Sequence, residues 1–200
     1  MTPEAFASLC GPTLYHVTAA QNVPAIRREG LLSAADLARH AGVDPRTLVL
    51  RQTRMTLPGG AVLNHQLPLR KGRARAAAFL DGTTIEGWAQ QLDTRVYLAP
   101  RRKLDALQGS FDVPIHTFKI DSAALFAALS DYIDLSPINS GNADRRPARR
   151  GEWIYVPATA PAATFRDNRR IRGLVTTRDS VREVSITCPV PPETLDRVLQ

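Results

Sequence analysis

Apolar and polar positions change period repeatedly along the chain, and each change marks an element. "PTLYHVT" mixes aromatic and β-branched residues, which predicts a strand over Leu14–Thr18. Directly after it, Val23, Ile26 and Leu31 fall near helical spacing, with Pro24 in the first turn and Gly30 at the stop. "SAADLARHAG" predicts a second short helix between Ser33 as cap and Gly42 as stop. The segment "TLVLRQTRMTLPGGAVLNHQLPLRKG" predicts two short strands about the Pro58-Gly59-Gly60 turn. "ARAAAFLDGTTIEGWAQQLD" predicts a helix in two pieces, broken at Asp81-Gly82 and restarted by Thr83 or Thr84.

Further on, "TRVYLAP" reads as an apolar strand and "RRKLDALQGS" as the helix after it. In "VPIHTFKID", Ile115, Thr117 and Lys119 alternate with His116, Phe118 and Ile120, the period-two signature of a strand. "SAALFAALSDYI" predicts a helix capped by Ser122, and "DLSPINSGNADRRPARRGEW" a polar loop. "WIYVP" predicts a strand, "ATAPAATFRDNRRIRGLVTTRDS" mostly loop, "VREVSITCPV" a closing strand and "PPETLDRVLQ" a terminal helix. This irregular interleaving favours an α+β domain over a doubly wound sheet. At 200 residues one domain, 1–200, is the economical expectation, with enough chain for a self-sufficient core.

Composition narrows the function classes. Hydrophobic residues make up 44% and charged residues 22% of the chain, as in ordinary globular proteins. Two cysteines, with no CxxC or Cys/His cluster, disfavour a disulfide framework or a zinc site and suit a cytoplasmic setting. The amino end lacks a cationic start with an apolar core, and no apolar run is long enough to span a bilayer, so neither export nor a membrane partner is expected. The net charge is +7 and lysine supplies only Lys71, Lys103 and Lys119. Arginine grips phosphate in a bidentate fork, so this excess points to nucleic acid or a phosphate-bearing ligand, although a generally Arg-rich surface would give the same count.

Several chemistries lack their motifs. The chain holds no GxxxxGK[ST], GxGxxG, HExxH or GxSxG, and His16, His40, His65 and His116 are too scattered to predict a metal. Two residues stand out by position. His16 sits inside the first strand and Glu183 on the apolar closing strand with Val181, Val184 and Ile186. Each has a plain alternative: a core histidine bonded to backbone, and an edge carboxylate paired with Arg182 or Arg178.

"LYHVTAAQNVPAIRREGLLS" resembles the opening of the DarT-like DNA ADP-ribosyltransferases, with His16, Thr18, Asn22, Ile26, Gly30 and Leu31 at the offsets of a YHxT-x3-N-x3-I-x3-GL pattern. RNA 2'-phosphotransferases carry a similar element. "RVYLAPRRKLDAL" and "VREVSITCPVPPETLDRVL" are similar to the family's later strand and helix pairs, and "LSPINSG" to a segment of uncharacterised bacterial relatives. The resemblance implies an ADP-ribosyltransferase-like fold of two packed antiparallel or mixed sheets around an NAD cleft. It implies Glu183, His16 and Arg51 as the catalytic set, and His16, Thr18, Asn22, Leu31, Arg54 and Tyr97 as the NAD-binding set. Arg51 and Arg54 are alternatives for the arginine on the pyrophosphate, Tyr97 would stack on nicotinamide, and Asn22 could equally be a helix cap.

In that chemistry the nicotinamide bond breaks with positive charge on the ribose, and a carboxylate beside it stabilises the charge and helps deprotonate the acceptor. The late segments carry Arg145, Arg146, Arg149, Arg150, Arg166, Arg169, Arg170 and Arg172 with Trp153 and Phe165 between them. Charge for phosphates and rings for stacking suit a single-stranded nucleic acid, DNA before RNA. The implied protein is a mono-ADP-ribosyltransferase, a toxin or phage-defence effector with an antitoxin partner. Its alternatives are an RNA 2'-phosphotransferase-like enzyme, a protein-modifying transferase and a silent module that only binds.

Overall fold

A computed structural model describes residues 1–143, 148–171 and 180–200. In chain order the regular elements are α1 (Pro3–Cys10), β1 (Thr13–Ala19), α2 (Val23–Glu29), α3 (Ala34–His40), β2 (Met55–Thr56), β3 (Val62–Leu63), α4 (Leu67–Lys71), α5 (Ala76–Phe79) and α6 (Ile85–Asp93). They continue with β4 (Val96–Pro100), α7 (Arg101–Gln108), β5 (Ile115–Asp121), α8 (Ser122–Leu129), β6 (Ile133–Ser136), β7 (Val156–Pro157), α9 (Ala162–Ile171), β8 (Glu183–Ile186) and α10 (Pro192–Val198). The class is α+β. Among the described residues no helix is long and apolar enough to cross a membrane.

The expected pair of packed sheets is corrected. One antiparallel sheet of six strands runs in the order β5-β1-β4-β8-β6-β7, and β2 and β3 form a separate hairpin. The join at its middle is short. β1 pairs with β5 along its whole length, Thr13 to Ala19, but with β4 only through Leu14–Pro100 and Tyr15–Ala99. Beyond Tyr15 the two strands part, and the sheet opens between them.

The main core gathers Phe6, Leu14, Phe118, Leu125, Leu135, Val184, Ile186 and Leu195 between sheet strands and the helices α1, α8 and α10. A second core holds Leu69, Phe79, Trp88, Ile154 and Tyr155, and a third, smaller one packs α3 against the hairpin through Ala38, Leu57 and Leu63. Four unpredicted elements have local causes. Thr2 accepts from the Ala5 N–H and Pro3 sets the first turn of α1. α4 opens similarly with Pro68 early in its first turn. α9 hides its period because its buried face pairs Phe165 with Arg169, an arginine where an apolar residue was to be expected. β6 begins inside the polar-looking "DLSPINSG" segment, yet Leu135 is fully buried.

Two predicted details shift. Asp121, not Ser122, caps α8, since its carboxylate accepts from the Ala124 N–H while Ser122 Oγ donates to the Gly11 carbonyl. "WIYVP" is a 3-10 turn over Glu152–Ile154 followed by only the two strand residues of β7.

One close approach ties the amino-terminal motif to the carboxyl end. Gly30 has φ +81°, and a Cβ there would stand 2.0 Å from the Val190 carbonyl oxygen. Next to it Leu31 and Val190 exchange backbone hydrogen bonds at 2.9 Å each way.

Candidate active site

A cleft of about 340 Å³ opens where β1 and β4 part, walled on one side by the β2–β3 hairpin. His16, Thr18, Asn22, Leu31, Arg51, Arg54, Tyr97 and Glu183 all line it. Residues separated by most of the chain length thus share one hollow, because β8 lies beside β4 and β4 beside β1.

The split explains the state of His16. Continuing the β1–β4 register would carry the ladder toward Tyr97, but the strands have separated and its carbonyl is met instead by His16 Nδ1 at 3.0 Å. A carbonyl oxygen only accepts, so Nδ1 carries the hydrogen and Nε2 presents a lone pair. Burial holds the imidazole below its usual pKa and keeps it neutral. His16 therefore offers the cleft an acceptor, not the donor its position in the motif was expected to supply.

Glu183 begins β8, opposite Ser136 of β6. Ser140 Oγ donates to its Oε1 at 2.6 Å. Burial pushes the carboxyl up to about 7, against the hydrogen bonds from Ser140 and the charges of Arg150 and Arg95. Desolvation outweighs two cations and a direct donor, the pattern of a carboxylate poised for proton transfer near neutrality. Neither Arg182 nor Arg178 is needed to explain it, so the edge-charge alternative does not describe this residue.

Sequence reasoning quoted Ser140 in "LSPINSG" without giving it a role. Its carbonyl accepts from Trp88 Nε1 at 3.2 Å and Arg150 Nη1 at 3.0 Å, which fixes the backbone that presents its hydroxyl to Glu183. The Ser/Asn/Gly turn composition after a buried strand is the only local signal for it. Beside this group, Tyr97 Oη and Tyr155 Oη lie 3.2 Å apart, and Arg95 lies over the Tyr155 ring at 3.8 Å while donating to Asp134 and Ser185. Burial raises both phenols well above their usual range, so both stay protonated.

Other expected ligand contacts are corrected. Asn22 makes no side-chain cap bond to α2. Its amide donates to Thr18 Oγ1 and to the Val62 carbonyl, both at 2.9 Å, and accepts from the Val62 N–H at 2.8 Å, pinning the hairpin to β1. Arg51 is committed to the fold. It forks onto Asp93 at 2.6 and 3.0 Å and also donates to the carbonyls of Asn64 and Leu48, using four of its five N–H groups. Leu50, at φ 57°, turns the chain so that Arg51 faces α6, and Gln66 holds that turn through the Leu50 N–H and Asp93. An anion on the cleft thus has Arg54 and not Arg51 available for a forked contact.

The basic surface expected from the late arginines shrinks. Arg150 is buried, lies over Phe79 and donates to Ala148 and Ser140 carbonyls; Arg169 is buried and donates to the Ser180 carbonyl. Phe165 is fully buried, and Trp153 Nε1 donates to Asp81. Neither ring is a stacking platform. Arg149, Arg166 and Arg170 remain exposed, while Arg145, Arg146 and Arg172 lie outside the described residues. Among the described residues no cluster of His, Cys, Asp and Glu gathers to hold a metal.

No curated protein sequence and no solved structure matches the chain. One family does match over nearly the whole length, residues 12–196, a span that takes in His16, Ser140 and Glu183, and the chain belongs to it: a family of unknown function, DUF7002.

Proposed function

We propose that the protein is an NAD-dependent mono-ADP-ribosyltransferase that modifies nucleic acid. The observation carrying this reading is the shared cleft: His16 from the amino end and Glu183 from the carboxyl end line one hollow at a split in the sheet, in the relation that the motif resemblance implies. The split, with a three-strand half beyond β4 and β1 with β5 on the other side, also stands in for the two sheets of the ADP-ribosyltransferase-like fold.

The residues fit NAD as substrate in chemistry and in part in size. A volume of about 340 Å³ is near the lower end of small-molecule sites, so the cleft suits one nucleoside end of a dinucleotide, with the rest at its open mouth. His16 Nε2 would accept from a ribose hydroxyl and fix the sugar on rigid sheet. The Glu183 carboxylate would face the positive charge that develops on the ribose when the nicotinamide bond breaks, and would then take the acceptor's proton. Ser140 and Arg150 hold that carboxylate in place. Acceptor choice rests on charge: a net +7 with Arg149, Arg166 and Arg170 exposed favours a polyanion, DNA before RNA.

Incubation of the purified protein with labelled NAD and, separately, single-stranded DNA, RNA and a protein mixture tests this. Label on DNA or RNA that disappears in Glu183→Gln supports the reading. Label retained on nucleic acid by Glu183→Gln, or no label on any acceptor, rejects it.

A further inference from the structure

The hairpin wall of the cleft contains buried polar atoms that the fold leaves without partners. Among the described residues, four buried side-chain polar atoms lack a hydrogen-bond partner: Arg54 Nε, His65 Nδ1, Arg95 Nε and the Asn168 Oδ1. Three of the four belong to residues lining the cleft. Buried polar groups are nearly always satisfied, and an orphan N–H costs about 1–3 kcal/mol. Two such atoms on one wall point to a ligand that completes them.

Arg54 immediately precedes β2, and His65 follows β3 by two residues. The Met55–Leu63 register of the hairpin brings those two flanks side by side, and the Arg54 charge is felt at His65, adding to the burial that lowers its pKa. Arg54 is held from the other side by the turn after α7. Its guanidinium lies over the Phe111 ring at 5.0 Å, and its ion-pair partner is the Asp112 carboxylate. That pair is lopsided: the Arg54 side chain is 11% exposed and that of Asp112 is 80% exposed. A carboxylate so well solvated gains little from an ion pair, and it occupies the place on Arg54 that another oxyanion would take.

We propose that Arg54 and His65 form an oxyanion site for a phosphate-bearing ligand, with Asp112 as the resident counter-ion that the phosphate displaces. The site deepens the function proposed above by assigning the phosphate end of the ligand to the hairpin, while its binding chemistry stands without any transfer reaction. The forked guanidinium and the neighbouring ring nitrogen give a charged and a directional contact to one phosphate. Phe111 and Asp112 then act as a selective flap, since a neutral ligand has no means of displacing the carboxylate.

Isothermal titration with ADP-ribose, sodium pyrophosphate and the uncharged nucleoside adenosine tests the site in wild type, Arg54→Gln, His65→Ala and Asp112→Asn, each checked for a native circular dichroism spectrum. Expected results are ADP-ribose binding weakened about tenfold or more in Arg54→Gln, a smaller loss in His65→Ala, and a gain of several-fold in Asp112→Asn. Adenosine affinity stays the same in all four. Asp112 is solvent-exposed, so its variant remains a usable arm if Arg54→Gln fails to fold. Unchanged or weaker ADP-ribose binding in Asp112→Asn, or no binding of ADP-ribose and pyrophosphate to the wild type, overturns the proposal. Tight phosphate-dependent binding with no transfer from NAD to any acceptor leaves this site standing and rejects only the transferase.

Discussion

Glu183 makes a measurable claim about stability as well as chemistry. A carboxyl raised from 4.5 to about 7 binds its proton more tightly in the folded chain than in the unfolded one. The folded state therefore loses stability as pH rises from about 4.5 to about 7, and the full cost is present above that window. At about 1.36 kcal/mol per pH unit the cost approaches 3 kcal/mol, and water reaching this half-buried group reduces it to roughly 2 kcal/mol. Glu183→Gln removes the ionisation and keeps an oxygen for the Ser140 hydroxyl. Urea unfolding at pH 5 and pH 8 reads the difference: the variant should match wild type at about pH 5 and exceed it by roughly 2 kcal/mol at about pH 8, or about 4–8 °C in melting temperature for a chain of this size. A variant no more stable than wild type at pH 8 refutes the account of Glu183 as a carboxylate held charged against desolvation.

The remaining expectations follow from neighbouring geometry. Glycohydrolysis or transfer from NAD should rise with pH along a limb centred near 7, as Glu183 ionises; a flat profile across that range denies it the role of base. Gly30→Ala should destabilise by about 2–4 kcal/mol, because its Cβ meets the Val190 carbonyl and its φ is left-handed; thermal melting measures it. Arg51→Leu should cost about 3–5 kcal/mol by leaving Asp93 unpaired, and Arg51→Leu with Asp93→Leu should recover much of that. Asn22→Ala should leave the main core intact yet speed protease cleavage in the hairpin, since three bonds fastening it to β1 and α2 disappear; equal cleavage rates would assign the hairpin's order to its own core.

Most elements were legible because they announce themselves locally. β1, β4, β5 and β8 are short apolar or alternating runs, and Thr84 caps α6 through the Gly87 N–H as its position in "DGTTIEG" implies. The amino-terminal motif was also legible, although Asn22 serves the hairpin and not the helix. The elements missed are those whose burial is decided far away. β6 looks polar until β7 and β8 close on either side, and α9 looks like loop because Arg169 finds its acceptor at Ser180, outside any helical period.

Arginine is where sequence reasoning lost the most, and the reason is physical. A guanidinium can be solvated, can grip a ligand's phosphate, or can be buried against carbonyls and a remote carboxylate, and the chain nearby is the same in all three cases. Arg51 finds Asp93 and Arg150 finds Ser140 only after the fold is complete. Each of these buried arginines sets something beside the cleft: Arg51 the wall that carries Arg54 and His65, Arg150 the backbone and charge beside Glu183. The chain's positive charge is thus divided between structure and surface. An Arg-rich composition that suggested a polyanion groove is in part the frame that keeps one carboxylate ionisable near neutrality and one hairpin over the hollow.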